Sequence, residues 1–326
     1  MSLATYPDAS PAVAEIDPGS SEAALGPVLG HAELLPFAVQ RMTVELLNDA
    51  IADLRSSRNG GFDEGIHSAR KKLKRTRALL RLVRDPIGYR PYREQNVVLR
   101  DTARTLSGVR DAWVLVETLR KLRDEYSHLL DEATFTHTEG WLMGRHQEAI
   151  ARFGARVIVN AVTNLGTARS VFAAFPVEEW IEDDFGAIAG GIARVYRRGY
   201  RAHEQARETH SIQNFHEWRK RVKYLGYQME ALTPIQPGLI GAMADELGEL
   251  GSDLGEDHDL AVLAEAVAMQ DAACPDPQER WLLLAAIYQA RHEIQERGLR
   301  RGAALFAEKP QDFVGRVDAY WIAGRR

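Results

Sequence analysis

Two stretches of the chain place residues that grip anions at matching intervals. His67-Ser68-Ala69-Arg70-Lys71-Lys72-Leu73-Lys74 and His216-Glu217-Trp218-Arg219-Lys220-Arg221-Val222-Lys223 share the spacing His-x-x-Arg-Lys-x-x-Lys. A guanidinium can hold two oxygens of one anion, an ammonium acts as a point charge, and an imidazole donates with a strength that depends on pH. On a helix advancing 100° per residue, His67, Arg70, Lys71, Lys74 and Arg81 fall within an arc of roughly 100°. Ile66, Ala69, Leu73, Thr76, Leu80 and Val83 form the apolar face beside it. In the second stretch Phe215, Trp218, Val222, Leu225, Met229 and Leu232 are the apolar face, and His216, Arg219, Lys220 and Lys223 are the stripe. Lys72, Arg75 and Arg221 fall outside both stripes and are read as solvated.

Residues 66–84 hold eight bases and no acid. A solvent-facing helix ordinarily mixes the two signs, because like charges one turn apart repel by a few tenths of a kcal/mol per pair. The bare stripe therefore predicts a polyanion or a facing acidic surface. Further bases are placed to join it. Arg194, Arg197, Arg198 and Arg201 share one helix face, opposite Ile188, Ile192, Val195 and Gly199. Arg100 and Arg104 lie one turn apart before Gly108, and Arg41 sits on the first helix. Arg145, His146, Arg152 and Arg156, then Arg291, His292, Arg297, Arg300 and Arg301, are candidates for a rim.

The elements that must position these groups read as helices throughout. Leu, Ala, Arg and Glu dominate and β-branched runs are scarce. Pro and Gly gather near residues 59–61, 85–86, 108, 176, 234–238, 255 and 275–277, cutting the chain into helices of roughly fifteen to twenty-five residues. Thr209 or Ser211 is placed to cap the helix that begins near Asn214, and Pro237 to open the next. A second similarity links the segments around Arg110-Asp111 and His258-Asp259, and the order and spacing of the two similarities indicate one duplicated module. The expected fold is all-α, with two tandem four-helix-like bundles related by a pseudo-twofold axis. The divisions are a disordered acidic tail over 1–33, a first half over 34–176 and a second over 177–326. The tail carries Asp8, Glu15, Asp17, Glu22 and Glu33 and no base.

Composition excludes several classes. The 326 residues carry 41 Lys and Arg against 46 Asp and Glu, a net charge of −5, so no uniformly basic coat for nucleic acid exists. The single cysteine, Cys274, excludes an internal disulfide and any cysteine-based metal site, and points to a reducing compartment. The first forty residues contain neither a base nor a sustained apolar run, so no secretory or transit signal is read. The apolar-leaning run 157–168 is too short to cross a bilayer.

At the two His-x-x-Arg-Lys-x-x-Lys motifs, together with Arg110-Asp111 and His258-Asp259, the sequence resembles the CHAD family, the conserved histidine α-helical domains. The resemblance extends from about residue 35 to near the C-terminus. It implies two helical bundles around a basic central channel that binds inorganic polyphosphate, and a cytoplasmic location at polyphosphate granules with granule components as possible partners. Placed in such a channel, the polyphosphate-binding set is His67, Arg70, Lys71, Lys74, Arg77, Arg81, Arg100, Arg104, Arg194, Arg197, Arg198, Arg201, His216, Arg219, Lys220 and Lys223. The chain departs from many relatives in lacking the strand-rich Glu-x-Glu-x-Lys domain that processes triphosphate, which implies a stand-alone binding module. Gly226 and Glu230 stand where the first copy has Arg77 and Arg81, so the channel is expected to be less basic on that side.

Three other readings remain at this stage. Nucleic-acid binding shares the electrostatics, but the first basic helix has no aromatic residue and Trp218 lies on an apolar face, so no base reader is evident. A phosphoryl-transfer or metal-dependent enzyme would use His67, His216 or Asp257-His258-Asp259. No metal-ligand set or Gly-rich phosphate loop accompanies them, so neither catalytic residue, metal nor cofactor is expected. Asp111 and Asp259 are read as helix caps, with Arg110 or His258 turned to the groove. A helical scaffold that binds an acidic protein, or the chain's own tail, is the third.

Overall fold

A computed structural model describes residues 26–30, 32–57, 62–128 and 130–325. Among them it contains twelve α-helices and no strand, so the chain is all-α. In order these are α1 (Leu35–Ser56), α2 (Phe62–Leu82), α3 (Tyr89–Thr105), α4 (Ser107–Tyr126), α5 (Glu132–Arg152) and α6 (Ala155–Ala173). There follow α7 (Val177–Trp180), α8 (Gly186–Glu208), α9 (Ile212–Leu232), α10 (Ala242–Met269), α11 (Pro277–Leu305) and α12 (Pro310–Gly324).

The helix starts follow local chemistry. The Ser211 hydroxyl accepts from the Asn214 amide at 3.2 Å and caps α9. Asp276 accepts from the Gln278 and Glu279 amides at 2.8 and 3.0 Å, and Pro277 opens α11. Pro237 begins a single wide turn, Pro237–Gly241, that leads into α10. The breaks expected at 85–86, 176 and 234–238 fall between helices, Pro275 to Pro277 lead into α11, and the one at 59–61 lies outside the described residues; the break expected near Gly108 falls at Leu106, Gly108 being already the second residue of α4. The break expected at Gly255 does not occur. α10 runs unbroken through Gly248, Gly251 and Gly255 for 28 residues, and the last two of these glycines serve side chains that cross the helix.

The apolar faces read for the two basic helices are buried in full. Ile66, Ala69, Leu73 and Thr76 on α2, and Trp218, Val222 and Met229 on α9, have no exposed surface. They belong to one core that also takes in α1, α6, α8, α12 and, through Leu247, Leu250 and Leu254, the first half of α10. A second core joins Val116, Leu119 and Leu122 of α4, Phe135 and Leu142 of α5 and Leu283 and Ile287 of α11 to Leu260, Leu263 and Val267 of α10. Each core draws helices from both halves of the chain, and α10 runs through both.

Of the tail read as disordered, residues 1–25 and 31 lie outside the described residues. The remainder is held in place: Leu29 is fully buried, and its amide donates to the Ala231 carbonyl at 2.9 Å. The Gly26 amide donates to Glu230 at 2.8 Å, and Glu33 pairs with Arg41 at 2.6 Å. Composition alone missed this because one buried leucine and an ion pair are enough to fix so short a segment.

α8 crosses the end of α2 with glycine at the contact. A methyl group at Gly191 would overlap the Leu82 carbonyl oxygen. Replacing Gly191 by Ala is expected to cost about 1–3 kcal/mol through forced separation of these helices. A clear fall in the urea midpoint, with helical circular dichroism retained, would bear this out; an unchanged midpoint would contradict the tight crossing.

Candidate anion site

α2 and α9 pack against each other, α4 packs against α10, and the basic flanks of the first pair face the second. Lys74 follows buried Leu73 and Lys223 follows buried Val222, so burial of the two apolar residues brings the two lysines into one half-buried cleft. Burial, reinforced by the charges of Arg219, Arg70 and Lys223, pushes the Lys74 ammonium down to about 8. Burial, with Arg219 and Lys71, does the same to Lys223, also to about 8. Among the described residues neither lysine has a carboxylate within ion-pairing distance. Arg219 has a buried Nε with no acceptor.

Gly251 and Gly255, four residues apart on α10, make room for these cations. A Cβ at Gly251 would meet Lys223 Cδ and Cε at 3.2 Å, and one at Gly255 would lie 3.6 Å from Arg219 Nε. Read in sequence as a helix breaker, Gly255 instead lets a guanidinium lie against the helix backbone. The available signal was the pair of glycines a turn apart within one helix.

The duplicated motif recurs in the contacts. His67 Nδ1 accepts from Arg110 Nε at 3.1 Å, which leaves Nε2 as the donor of a neutral ring. His216 lies against His258, with ring centroids 4.5 Å apart, and both rings bury an Nδ1 that has no partner. In each copy the histidine of the basic helix therefore meets the residue that precedes an aspartate on the facing helix. Arg70 pairs with Asp111 at 2.9 Å and touches the Ser107 carbonyl at 3.3 Å. Asp259, facing Arg219, Arg110 and Lys74, has its carboxyl pushed up by burial against the pull of those charges. Neither aspartate caps a helix, contrary to expectation: α4 begins at Ser107 without a side-chain cap, and Asp259 lies inside α10.

The histidines are less basic than expected of pH-sensitive donors. Burial, with Arg110, Lys74, Lys71 and Arg70 nearby, pushes His67 down to about 4. Burial, with Arg219 and His216, pushes His258 to about 4 as well. Burial and the Lys220 and Arg219 charges also lower His216. At neutral pH these rings donate as neutral groups.

The other predicted residues divide into three sets. Lys71 is half-buried beside Arg75 and Glu230, its ammonium lowered mainly by burial. Lys220 pairs with Glu217. Arg77, Arg81 and Arg198 have no carboxylate partner among the described residues and gather around Tyr224 and Tyr92 at the far end of α2. Arg100 is paired with its neighbour Asp101 at 2.8 Å, and Arg104 lies 4.0 Å from the same carboxylate. Arg194 is held by Asp85 at 2.6 Å, while Arg197 and Arg201 are exposed on α8. The Arg194–Arg201 row thus does not join the Lys74–Lys223 centre as a unit.

Three bases read as solvated are paired instead. Lys72 bonds Asp53 at 2.6 Å, Arg75 bonds Glu230 at 2.6 Å in a largely buried pair, and Arg221 bonds Glu217 at 3.0 Å. The rim also belongs mostly to internal pairs. Arg291 is buried with Asp257 at 3.0 Å, Arg297 meets Asp253 at 3.0 Å, and Arg301 meets Glu246 at 2.9 Å. Arg300 lies 3.8 Å from Glu296, and His292 is exposed. His146 is buried against Asp63 and Trp113, Arg152 pairs with Glu148, and Arg156 is exposed. Arg41 is neutralised by Glu33 and Glu45. A separate cavity of about 520 Å³, lined by Val109, Leu115, Leu142 and Arg145, adjoins the site only through Asp111. Among the described residues no group of His, Cys, Asp and Glu is arranged to hold a metal, and no helix is long and apolar enough to cross a membrane.

Because an unfolded chain protonates His67 and His258 near 6.5 and the folded one only near 4, their contribution to stability is full above pH 6.5 and is lost as pH falls from there toward 4. Ring carbon and nitrogen shifts followed by NMR should show both histidines neutral at pH 6. A midpoint near 6.5 for either would place it outside the cation cluster.

A family model for the CHAD domain matches residues 45–268. No curated protein matches the chain. The matched span covers well over half of the sequence and ends in α10, so that α2, α4, α9 and the cations they bring together all lie within it. The chain belongs to the CHAD domain family.

Proposed function

We propose that this protein binds inorganic polyphosphate in the cleft between α2, α4, α9 and α10, and that it is a binding module rather than an enzyme. The observation that carries the reading is the set of unpartnered donors converging there. The ammonium groups of Lys74 and Lys223 and the buried Nε of Arg219 lie together without carboxylates that satisfy them. Such a site is costly to leave empty of negative charge, and a chain of phosphates supplies acceptor oxygens and charge together. CHAD membership supports the same ligand class.

Each residue has a role in this reading. Arg70 and Arg219 hold phosphate oxygens through their planar guanidinium groups, Lys71, Lys74 and Lys223 supply charge, and His67 donates through Nε2. The pairing of Arg70 with exposed Asp111 is exchangeable, since an ion pair open to solvent is worth only about 0–1 kcal/mol. As phosphates enter, their counterions are released, so affinity falls steeply with salt, by analogy with nucleic acids. Delivery of the protein to cytoplasmic polyphosphate granules follows from retention on the polymer and requires no further signal. Catalysis would need a positioned base, nucleophile or metal shell, and imidazoles lowered to about 4, as His67 and His258 are, are weak proton acceptors at neutral pH.

Arg219→Gln combined with Lys223→Gln is expected to weaken polyphosphate binding by at least about a hundredfold, as two charge-assisted contacts are lost. Helical circular dichroism should remain, and no orthophosphate should be released by either protein. Unchanged affinity would exclude this cleft, and release of orthophosphate would exclude a purely binding role.

A further inference from the structure

Beyond the central cleft, one end of α2 carries guanidinium groups that pair with no carboxylate among the described residues. Lys74, Arg77 and Arg81 follow one another along a single face of α2, and Arg84 lies in the turn just past its end. The Arg81 guanidinium carbon lies 4.0 Å above the Tyr224 ring, with that of Arg77 6.0 Å from the same ring. Arg84 stands 5.2 Å from Tyr89 and 5.1 Å from Tyr92. The remaining contacts of Arg77 and Arg81 are with neutral oxygens: Arg77 Nε donates to Asn96 at 3.1 Å, and Arg81 Nη1 to the Arg77 carbonyl at 2.7 Å. Rings and amides orient a guanidinium without cancelling its charge. Arg198 of α8 joins the group from outside, near Arg221, Arg84 and Tyr92. Asp85, Glu217 and Asp101, the nearby acids, are already engaged by Arg194, by Lys220 and Arg221, and by Arg100.

The opposite end of the cleft is closed. Duplication places Gly226 and Glu230 where the first copy has Arg77 and Arg81, and Glu230 forms the largely buried pair with Arg75. The chain at residues 26–29 runs over this pair, with the Gly26 amide on Glu230 and the Leu29 amide on the Ala231 carbonyl. A phosphate chain leaving the centre on that side meets a carboxylate and packed backbone.

We propose that the anion track is one-ended: it continues from the Lys74–Lys223 centre past Tyr224 to a subsite formed by Arg77, Arg81, Arg84 and Arg198, which takes the distal phosphates of long condensed-phosphate chains and is beyond the reach of short ones. This rests on the central cleft being the polyphosphate site. From Lys74 to Arg84 the chain advances about 15 Å at helical rise, longer than a tripolyphosphate, so one bound at the centre leaves the outer guanidiniums of Arg84 and Arg198 empty. Tyr224 and Tyr92 act as platforms that hold the arginines extended. The alternation of Arg and Tyr also suits single-stranded RNA, whose bases would stack on the exposed Tyr89, but the closed far end and the continuity with the lysine centre favour a linear phosphate polymer.

The test measures affinity of the full chain for tripolyphosphate, long-chain polyphosphate and polyuridylate at several salt concentrations. Arg84→Gln with Arg198→Gln should lower affinity for long-chain polyphosphate at least about tenfold and make its salt dependence shallower by roughly one to two. Tripolyphosphate affinity should change less than about twofold, well under the tenfold that one charged contact is worth. Arg198→Gln alone, at an exposed position, should show the same selectivity in smaller degree and serves if the double variant does not fold. Equal losses for short and long chains, no loss for long chains, or a loss confined to polyuridylate would each overturn the one-ended track. Arg219→Gln with Lys223→Gln should weaken both phosphate ligands. If it weakens neither, the central assignment fails, separately from the outcome at the distal arginines.

Discussion

The burial of two apolar helix faces against each other dictates where the charges go. Leu73 and Val222 have no exposed surface, and Lys74 and Lys223, each the next residue, are carried into a shared cleft with Arg219. A shift of the lysines from 10.5 to about 8 corresponds to a cost on the order of 3 kcal/mol each. A few fully buried apolar side chains, at about 1.5–3 kcal/mol apiece, offset this. The fold thereby holds a concentration of positive charge that an isolated helix would disperse into solvent.

α10 separates an internal salt-bridge network from the cleft of unneutralised cations by using different sides of one helix. Asp253 and Asp257 face α11 and neutralise Arg297 and Arg291 there. Gly251 and Gly255 face α9 and offer no charge, so Lys223 and Arg219 lie against bare backbone. Had acids occupied the glycine positions, the stripe on α9 would have been satisfied internally. Neutralisation by facing acids thus accounts for Arg291 and Arg297 of α11, Lys220 is paired within α9, and the centre of the α2–α9 crossing is left without such partners among the described residues.

Much of this was legible in the sequence because helical periodicity is a local property. The buried faces of α2 and α9, the Ser211 cap and most of the breaks follow from spacing alone. What stayed hidden depends on partners distant in the chain. Arg75 reads as solvated until Glu230, on another helix, lies beside it. Gly255 reads as a break until a guanidinium from another helix needs its space. The tyrosines at the end of α2 were missed because they come from α3 and α9, not from the basic helix itself.

The central claim is that Lys74 and Lys223 are held short of their ordinary proton affinity by burial and by the charges of Arg219 and neighbouring bases, and that a polyanion relieves this. Calorimetric titration with long-chain polyphosphate at pH 8, repeated in buffers of different ionisation enthalpy, measures the protons exchanged on binding. Because both ammonium groups titrate near 8 in the empty site and above it beside phosphate, the account predicts net proton uptake. Binding with no proton exchange, or with release, would contradict it.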